Sequence, residues 1–324
     1  MKRIAVIDLG TNTFHLLITA INQSIIPGNI YKETIVVKLG EDGINKGIIQ
    51  PAAFLRGIKA LEKFSELIKQ HQVTQVKAMA TAAIRNALNG EEFTLEVKIR
   101  TGIEIEIIDG NREADLIYKG VREAVKMNNK YHLMMDIGGG SVEFIICDHS
   151  QIFWKKSYPL GAAKLMERFH HSDPISIKDI NQIVNQLKET LPELLVECSK
   201  YRLIKLIGSA GAFETFEELI RRRFEFEAKN KNVSAREIKL NHFQEIASVL
   251  LKSTHEERSK MPGLIALRVD MIVVATLLTQ HIINELKIGK LIISDYSLKE
   301  GILFDLIGEI LTKPVLTVPG KGDE

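Results

Sequence analysis

The sequence has few of the residues that staple, cage or anchor a chain. Only two of its 324 residues are cysteines, Cys147 and Cys198. Two cannot build a disulfide framework and do not have metal-ligand spacing, so reduced thiols and a cytoplasmic setting are expected. Long apolar runs are also missing. MIVVATLL at 271–278 is about eight residues and too short to span a bilayer, so no membrane partner is expected. The apolar start of MKRIAVIDLG stops at Asp8, too soon for a signal peptide. Neither sign of charge prevails: 43 Lys and Arg face 41 Asp and Glu, a net charge of +2. Duplex nucleic acid is therefore not an expected partner, and any polyanion must be met by a local patch. No G-x-x-x-x-G-K-[ST] and no G-x-G-x-x-G opening a βαβ unit occurs, so neither common nucleotide fingerprint is present. The nine histidines show neither H-E-x-x-H nor zinc-like spacing, and His170-His171-Ser172-Asp173 reads as a surface connection.

What remains is ordinary globular composition, 45% hydrophobic and 26% charged. At roughly 150 residues per domain the length suggests about two domains. Apolar periodicity predicts strands at 4–7, 14–18, 76–80 and 103–108, with a helix opening at Pro51 and another over 112–127 behind an Asn111 cap. A second half begins near Tyr131 with strands at 132–136 and 142–147. Ser176 reads as the cap of a helix that Pro192 kinks or splits. A strand at 203–207, helices around 241–252 and 264–286, a strand at 290–294 and a last helix through Ile310 complete the pattern. The PGKGDE tail is expected to be disordered. Alternating strands and helices mean an α/β protein.

An internal repeat carries more than any single element. IAVIDLGTNTFHLLI at 4–18 superposes without gaps on HLMMDIGGGSVEFII at 132–146. Each copy is an apolar strand, Asp-x-Gly, a small or polar turn, then an apolar strand. Glycines let backbone N–H groups converge on an anion without Cβ obstruction. Gly138, Gly139, Gly140 and Ser141 form one such turn; Gly10, Thr11, Asn12 and Thr13 form the other. Facing each other, the two turns would hold adjacent phosphates, leaving Asp8 and Asp136 for a cation or water. Mg²⁺ suits that donor set, because it takes a few carboxylates together with phosphate oxygens and water. Turn geometry alone would also account for the glycines, and the residues by themselves leave both readings open.

At these motifs the sequence resembles the exopolyphosphatase/guanosine pentaphosphate phosphohydrolase (Ppx/GppA) family, within the superfamily of actin and sugar kinases. The resemblance runs over about residues 4–307. Besides the two hairpins it is carried by ATAAIRNALNG at 80–90, IDGNREADLIYKGV at 108–121 and PLGAAKLMERF at 159–169. LIGSAGAFETFEEL at 206–219, PGLIALRVDMIV at 262–273 and SDYSLKEGIL at 294–303 complete it. The resemblance implies a duplicated actin-like, ribonuclease H-like fold of two domains around a cleft. Domain I is expected to take 1–121 plus 302–324 and domain II 122–301, with the last helix crossing back onto domain I. It is similar to the short branch, without the further C-terminal domains of many relatives, and a homodimer is the expected assembly.

The same resemblance implies a Mg²⁺-dependent hydrolase that releases terminal orthophosphate from polyphosphate or guanosine pentaphosphate. Glu113 matches the glutamate that serves the attacking water, and Glu143 a second carboxylate that assists. Asp136 and then Asp8 are expected to meet Mg²⁺. Arg85, Gly208 and Ser209 join the two turns as expected phosphate ligands. Arg85 is equally readable as a surface helix arginine, and Glu113 as an acid favoured at a helix N-terminus. Two positions depart from the family pattern: Arg112 stands for a carboxylate and Asp115 for an arginine, which puts substrate preference and rate in question. A kinase of the same superfamily and a non-catalytic phosphate sensor are the alternatives. Arg221-Arg222-Arg223 with Lys229 and Lys231 would steer a polyanion, or simply be solvated.

Overall fold

The computed structural model describes residues 2–21, 29–224 and 233–312. Its first half runs β1 (Lys2–Leu9), β2 (Thr13–Ile21), β3 (Asn29–Val36), α1 (Pro51–Gln70), β4 (Gln75–Ala80), α2 (Ala82–Arg85), α3 (Gly90–Thr101) and β5 (Ile105–Ile107). These strands form one sheet in the order β3-β2-β1-β4-β5. β1 pairs antiparallel with β2 and parallel with β4. Ile4, Ala5, Val6 and Ile7 of β1 are all fully buried, which is why a central strand reads as an unbroken apolar run.

Helix α4 (Gly110–Ala124) leads to the second half: β6 (His132–Ile137), β7 (Val142–Cys147), β8 (Ile152–Tyr158), α5 (Ala162–Phe169), α6 (Ile177–Thr190) and α7 (Pro192–Ser199). Then come β9 (Leu206–Ser209), α8 (Ala210–Phe224), β10 (Ala235–Ile238), α9 (Leu240–Lys252) and α10 (His255–Ser259). A 3₁₀ turn at Ala266–Arg268, α11 (Met271–Glu285), β11 (Leu291–Ser294) and α12 (Leu298–Thr312) close the chain. The second sheet is ordered β10-β11-β9-β6-β7-β8. Read from β8, it repeats the first: a three-stranded antiparallel meander followed by two parallel strands, with β10 added at the edge. The sequence repeat occupies the same place in each sheet, β1–β2 and β6–β7. This duplicated α/β order is the actin-like, ribonuclease H-like arrangement that was expected.

The two halves are tied by α4 and α12, which pack on each other. α12 lies on β1 and β2, while α4 lies on β7 and β8. Ile4 and Val6 of the first sheet, Met134 and Ile145 of the second, and Leu116 and Ile302 of the helices share one apolar cluster. The helices cross at glycines. A Cβ on Gly301 would lie 1.8 Å from the Leu116 carbonyl oxygen, and one on Gly120 would lie 2.3 Å from that of Ser297. That contact fixes how the sheets, and so the repeated turns, stand relative to each other.

Several boundaries differ from the sequence reading. The α4 cap is Asp109, not Asn111: its carboxylate accepts the Arg112 N–H at 2.8 Å. The expected helix over 264–286 is regular only from Met271, after the 3₁₀ turn. Ser176 does cap α6, and the chain is split ahead of Pro192, which sits in the first turn of α7. Lys229, Lys231 and the PGKGDE tail lie outside the described residues. Arg221 and Arg222 pair with Glu218, and Arg223 with Glu245. Cys147 and Cys198 are buried free thiols, and burial pushes Cys198 up to about 12. Among the described residues no helix is long and apolar enough to cross a membrane.

Candidate active site

The repeated turns close in the same way. The Gly10 N–H donates to the Thr13 carbonyl at 3.1 Å, and the Gly138 N–H to the Ser141 carbonyl at 3.0 Å. They also touch. A Cβ on Gly139 would lie 2.5 Å from Asn12 Nδ2 and 2.8 Å from Thr11 Cβ, and one on Gly140 3.0 Å from Thr11 Oγ1. Only glycine lets the second turn approach the first this closely. The start of α5 secures that turn from behind, with the Ala162 N–H on the Gly138 carbonyl and the Ala163 and Lys164 N–H groups on that of Gly139. Among the described residues the N–H groups of Thr11, Asn12, Gly139 and Gly140 donate to no protein acceptor. Unclaimed backbone donors on two touching turns can receive an anion.

These turns line a cavity of about 170 Å³ between the sheets. Gly10, Thr11, Asn12, Thr13, Gly138, Gly139, Gly140, Ser141, Asp8, Asp136 and Glu113 all border it. Three of these are buried carboxylates that resist ionisation. Burial raises Asp8 to about 7, with Lys299 opposing and Glu113 and Asp136 adding to the rise. Burial raises Asp136 to about 6 although Ser209 Oγ donates to it at 2.5 Å. Burial also lifts Glu113 to about 7, against the pull of Arg85, whose Nη1 donates to Glu113 Oε2 at 2.9 Å. Crowded acids of this kind mark a site that expects positive charge or a proton-transfer task.

Four expected residues stand off this cavity. Glu143 is 1% exposed and accepts from Ser157 Oγ at 2.7 Å; burial, then Glu113 and Asp136, push it well above the usual carboxylate range. Arg85 borders a neighbouring cavity instead, and its second Nη1 bond is to the Ile108 carbonyl at 2.8 Å. Gly208 admits the Phe213 ring, 2.1 Å from where its Cβ would be, and Ser209 is fully buried on Asp136. The cavity wall begins one residue later, at Ala210, held in the left-handed region (φ 67°), and Gly211.

The unusual Arg112 and Asp115 face neither cavity. Arg112 pairs with Asp305 of α12, joined there by Lys119, and Asp115 pairs with Lys155 of β8. Their reversed charges bind α4 to its two neighbours. Sequence reasoning did not single out the site's cations. Lys299 lines the cavity with its side chain half-buried. Burial works against its ammonium, but Glu300, Glu214 and Asp8 outweigh that and hold it protonated. Arg268 donates to Glu214 at 3.1 Å and to Thr215 at 2.9 Å, and its guanidinium fills the space where a Gly211 Cβ would be. His15 bridges Thr13 and Thr34 and is driven down to about 3 by burial. The signal for Lys299, Arg268 and Glu214 lay in SDYSLKEGIL, PGLIALRVDMIV and LIGSAGAFETFEEL, read as family markers without assigning roles inside them.

Comparisons with known proteins agree with this geometry. The Ppx/GppA phosphatase family profile matches residues 17–309. Exopolyphosphatase 2 of Mycobacterium tuberculosis is 26% identical over 320 residues, covering 95% of this chain and 99% of that protein. A guanosine-5'-triphosphate,3'-diphosphate pyrophosphatase of Vibrio campbellii is 25% identical over 94% of this chain and 59% of its own length. The crystal structure of an exopolyphosphatase from Cytophaga hutchinsonii superposes with a TM-score of 0.92 and 38% identity, over 95% of this chain and 98% of that one. An Aquifex aeolicus family member gives 0.78 and 25%, over 95% and 98%. A match over nearly the whole chain, on a fold that brings the repeated turns together at one cavity, makes this chain a member of the Ppx/GppA phosphatase family, enzymes of phosphoanhydride hydrolysis.

Proposed function

We propose that the chain releases terminal orthophosphate from inorganic polyphosphate, guanosine pentaphosphate or both, with Glu113 serving the attacking water. The observation that carries this reading is the position of Glu113: buried, and bordering the same cavity as two turns with unclaimed N–H donors. A carboxyl group near 7 is half ionised at neutral pH, where a general base works best. Water oxygen forms the new bond to the terminal phosphorus and its proton passes to Glu113. The P–O bond to the bridging oxygen breaks, and the electron pair leaves with the shortened chain. The turn amides, Lys299 and Arg268 stabilise charge on the phosphoryl oxygens.

Asp8 and Asp136 would hold Mg²⁺. Among the described residues no three His, Cys, Asp or Glu side chains group closely enough to cage a metal. Mg²⁺ does not need such a cage, since one or two carboxylates with phosphate oxygens and water suffice. Two buried acids with raised protonation ranges at matching strand ends fit that role. When bound, the ion would neutralise charge on the bridging and terminal phosphate oxygens.

The test is phosphate release from long-chain polyphosphate and from guanosine pentaphosphate, with and without Mg²⁺, by wild type and Glu113→Ala. The variant should lose about 10²–10⁴-fold in kcat, the usual worth of a positioned base. Wild-type-like turnover in Glu113→Ala would sink the assigned role. A requirement for ADP as acceptor would instead favour a kinase.

A further inference from the structure

A second cavity of about 520 Å³ adjoins the first, bordered by Arg85, Asn86, Asn111, Lys156 and Ser157, with Ser141 on the wall shared by both. The wall between them holds the hydrolytic carboxylates. Glu113 borders the first cavity while its partner Arg85 borders the second. Glu143 is bonded to Ser157, which borders the second. Of the Arg85 nitrogens only Nη1 has a protein acceptor among the described residues, so Nε and Nη2 remain unclaimed beside that space.

In-line displacement fixes what each side must contain. Water, phosphorus and leaving oxygen lie along one line in phosphoryl transfer. Given the reading above, in which Glu113 serves the water, the water stands on the side of the Arg85 wall. The leaving chain then extends the opposite way, toward Gly211, Arg268 and Lys299. After cleavage the orthophosphate lies between that chain and the wall, and the chain obstructs the path back through the first cavity. We propose that the second cavity is an orthophosphate site and the product's exit. Arg85 and Lys156 supply charge for the anion and Asn86 supplies a neutral donor, while Asn111 stands at the border of the cavity. Lys156, held in the resting protein by Glu193 and over the Tyr158 ring at 5.2 Å, would turn to the departing anion. The shortened chain need not leave before the product does.

The experiment plugs this route without touching the machinery. Asn111→Trp, checked for fold by circular dichroism and melting temperature, is assayed on long-chain polyphosphate with Mg²⁺ beside wild type. The first phosphate should form at the wild-type rate while steady-state kcat falls about tenfold, because release becomes limiting. A burst of one phosphate per site results, with no rise in KM. In Lys156→Gln, inhibition by added inorganic phosphate should weaken about fivefold, the worth of one charge at about 4 Å through water. A raised KM with unchanged kcat in Asn111→Trp would mean the cavity takes the chain, and would overturn the exit. So would both variants matching an active wild type. A wild type that releases no phosphate from either substrate would remove the hydrolase reading and the exit together.

Discussion

Arg85→Met tests whether Arg85 tunes Glu113 or binds substrate. In the wild type, Arg85 Nη1 sits 2.9 Å from Glu113 Oε2, and this attraction partly offsets the burial that lifts Glu113 to about 7. An adjacent guanidinium typically lowers a carboxylate by ~1–3 pH units. Without it, burial and the repulsion from Asp136 act unopposed, and Glu113 should titrate at about 8–10. If ionised Glu113 is the base, kcat at pH 7 falls roughly 5–500-fold and recovers as pH rises, because the rising limb of the profile moves up with the carboxylate. Arg85→Lys keeps a cation but not the fork, so its limb should move less. The Ile108 carbonyl also loses its donor, costing about 1–3 kcal/mol of stability, so melting temperature should drop in the Met variant. The assay is kcat and KM against pH from 6 to 10 on polyphosphate. A loss of equal size at every pH, with KM raised, would refute the tuning argument and make Arg85 a phosphate ligand instead.

Three further outcomes follow from the same geometry. Asp8, Asp136 and Glu113 all titrate higher when folded than in an open chain, so the stability they confer is full below about pH 4 and is lost as pH climbs toward 7. For Asp8, moved from 3.8 to about 7, this amounts to as much as about 4 kcal/mol, and a metal-free melting series over pH 4–8 should be flatter in Asp8→Asn. Gly139→Val should fold yet lose about 100-fold or more in kcat, since its branched side chain would push Thr11 and Asn12 aside and separate the turns by roughly 1 Å. Gly301→Val should lose about 1–3 kcal/mol or more in chemical denaturation, because its Cβ would meet the Leu116 carbonyl of the crossing helix; unchanged stability would mean the helices have room to part.

The parts legible in the sequence were those buried on both sides. β1 and β6 are central strands, so their apolar runs, with an Asp-x-Gly turn after each, stood out and revealed the duplication. The first 40 residues read as strand material, but the bounds of β3 were not legible: NIYKETIV is an edge strand whose residues alternate between exposed and half-buried. Nor was α3, where buried Phe93 and Val97 lie on one face and exposed Leu95 and Ile99 on the other, so no single apolar stripe stands out. The α4 cap was misplaced because Asp109 and Asn111 are both good caps, and only the fold shows Gly110 pressed against Ser157, 2.4 Å from where its Cβ would be. In the site, the two turns and Glu113 were readable because each is local. Lys299, Glu214 and Arg268 come from distant segments, and nothing local distinguishes a lysine that folding places at the cavity from the other lysines of the chain.

The near-neutral net charge poses a question that the site answers. Asp8, Glu113, Asp136 and Glu214 border the cavity against Lys299 and Arg268, so its side chains alone lean negative. Polyanion binding there cannot rest on a basic surface. In the proposed function it would rest on fixed dipoles, the unclaimed amides of Thr11, Asn12, Gly139 and Gly140, and on a divalent cation brought with the substrate. This division of labour suits hydrolysis. A lysine-rich pocket would hold the substrate and its chain product almost equally well, whereas amides aimed at one phosphoryl group gain most as its charge redistributes during attack. In that proposal the acids that lower ground-state attraction are the same ones that would hold the metal and take the proton.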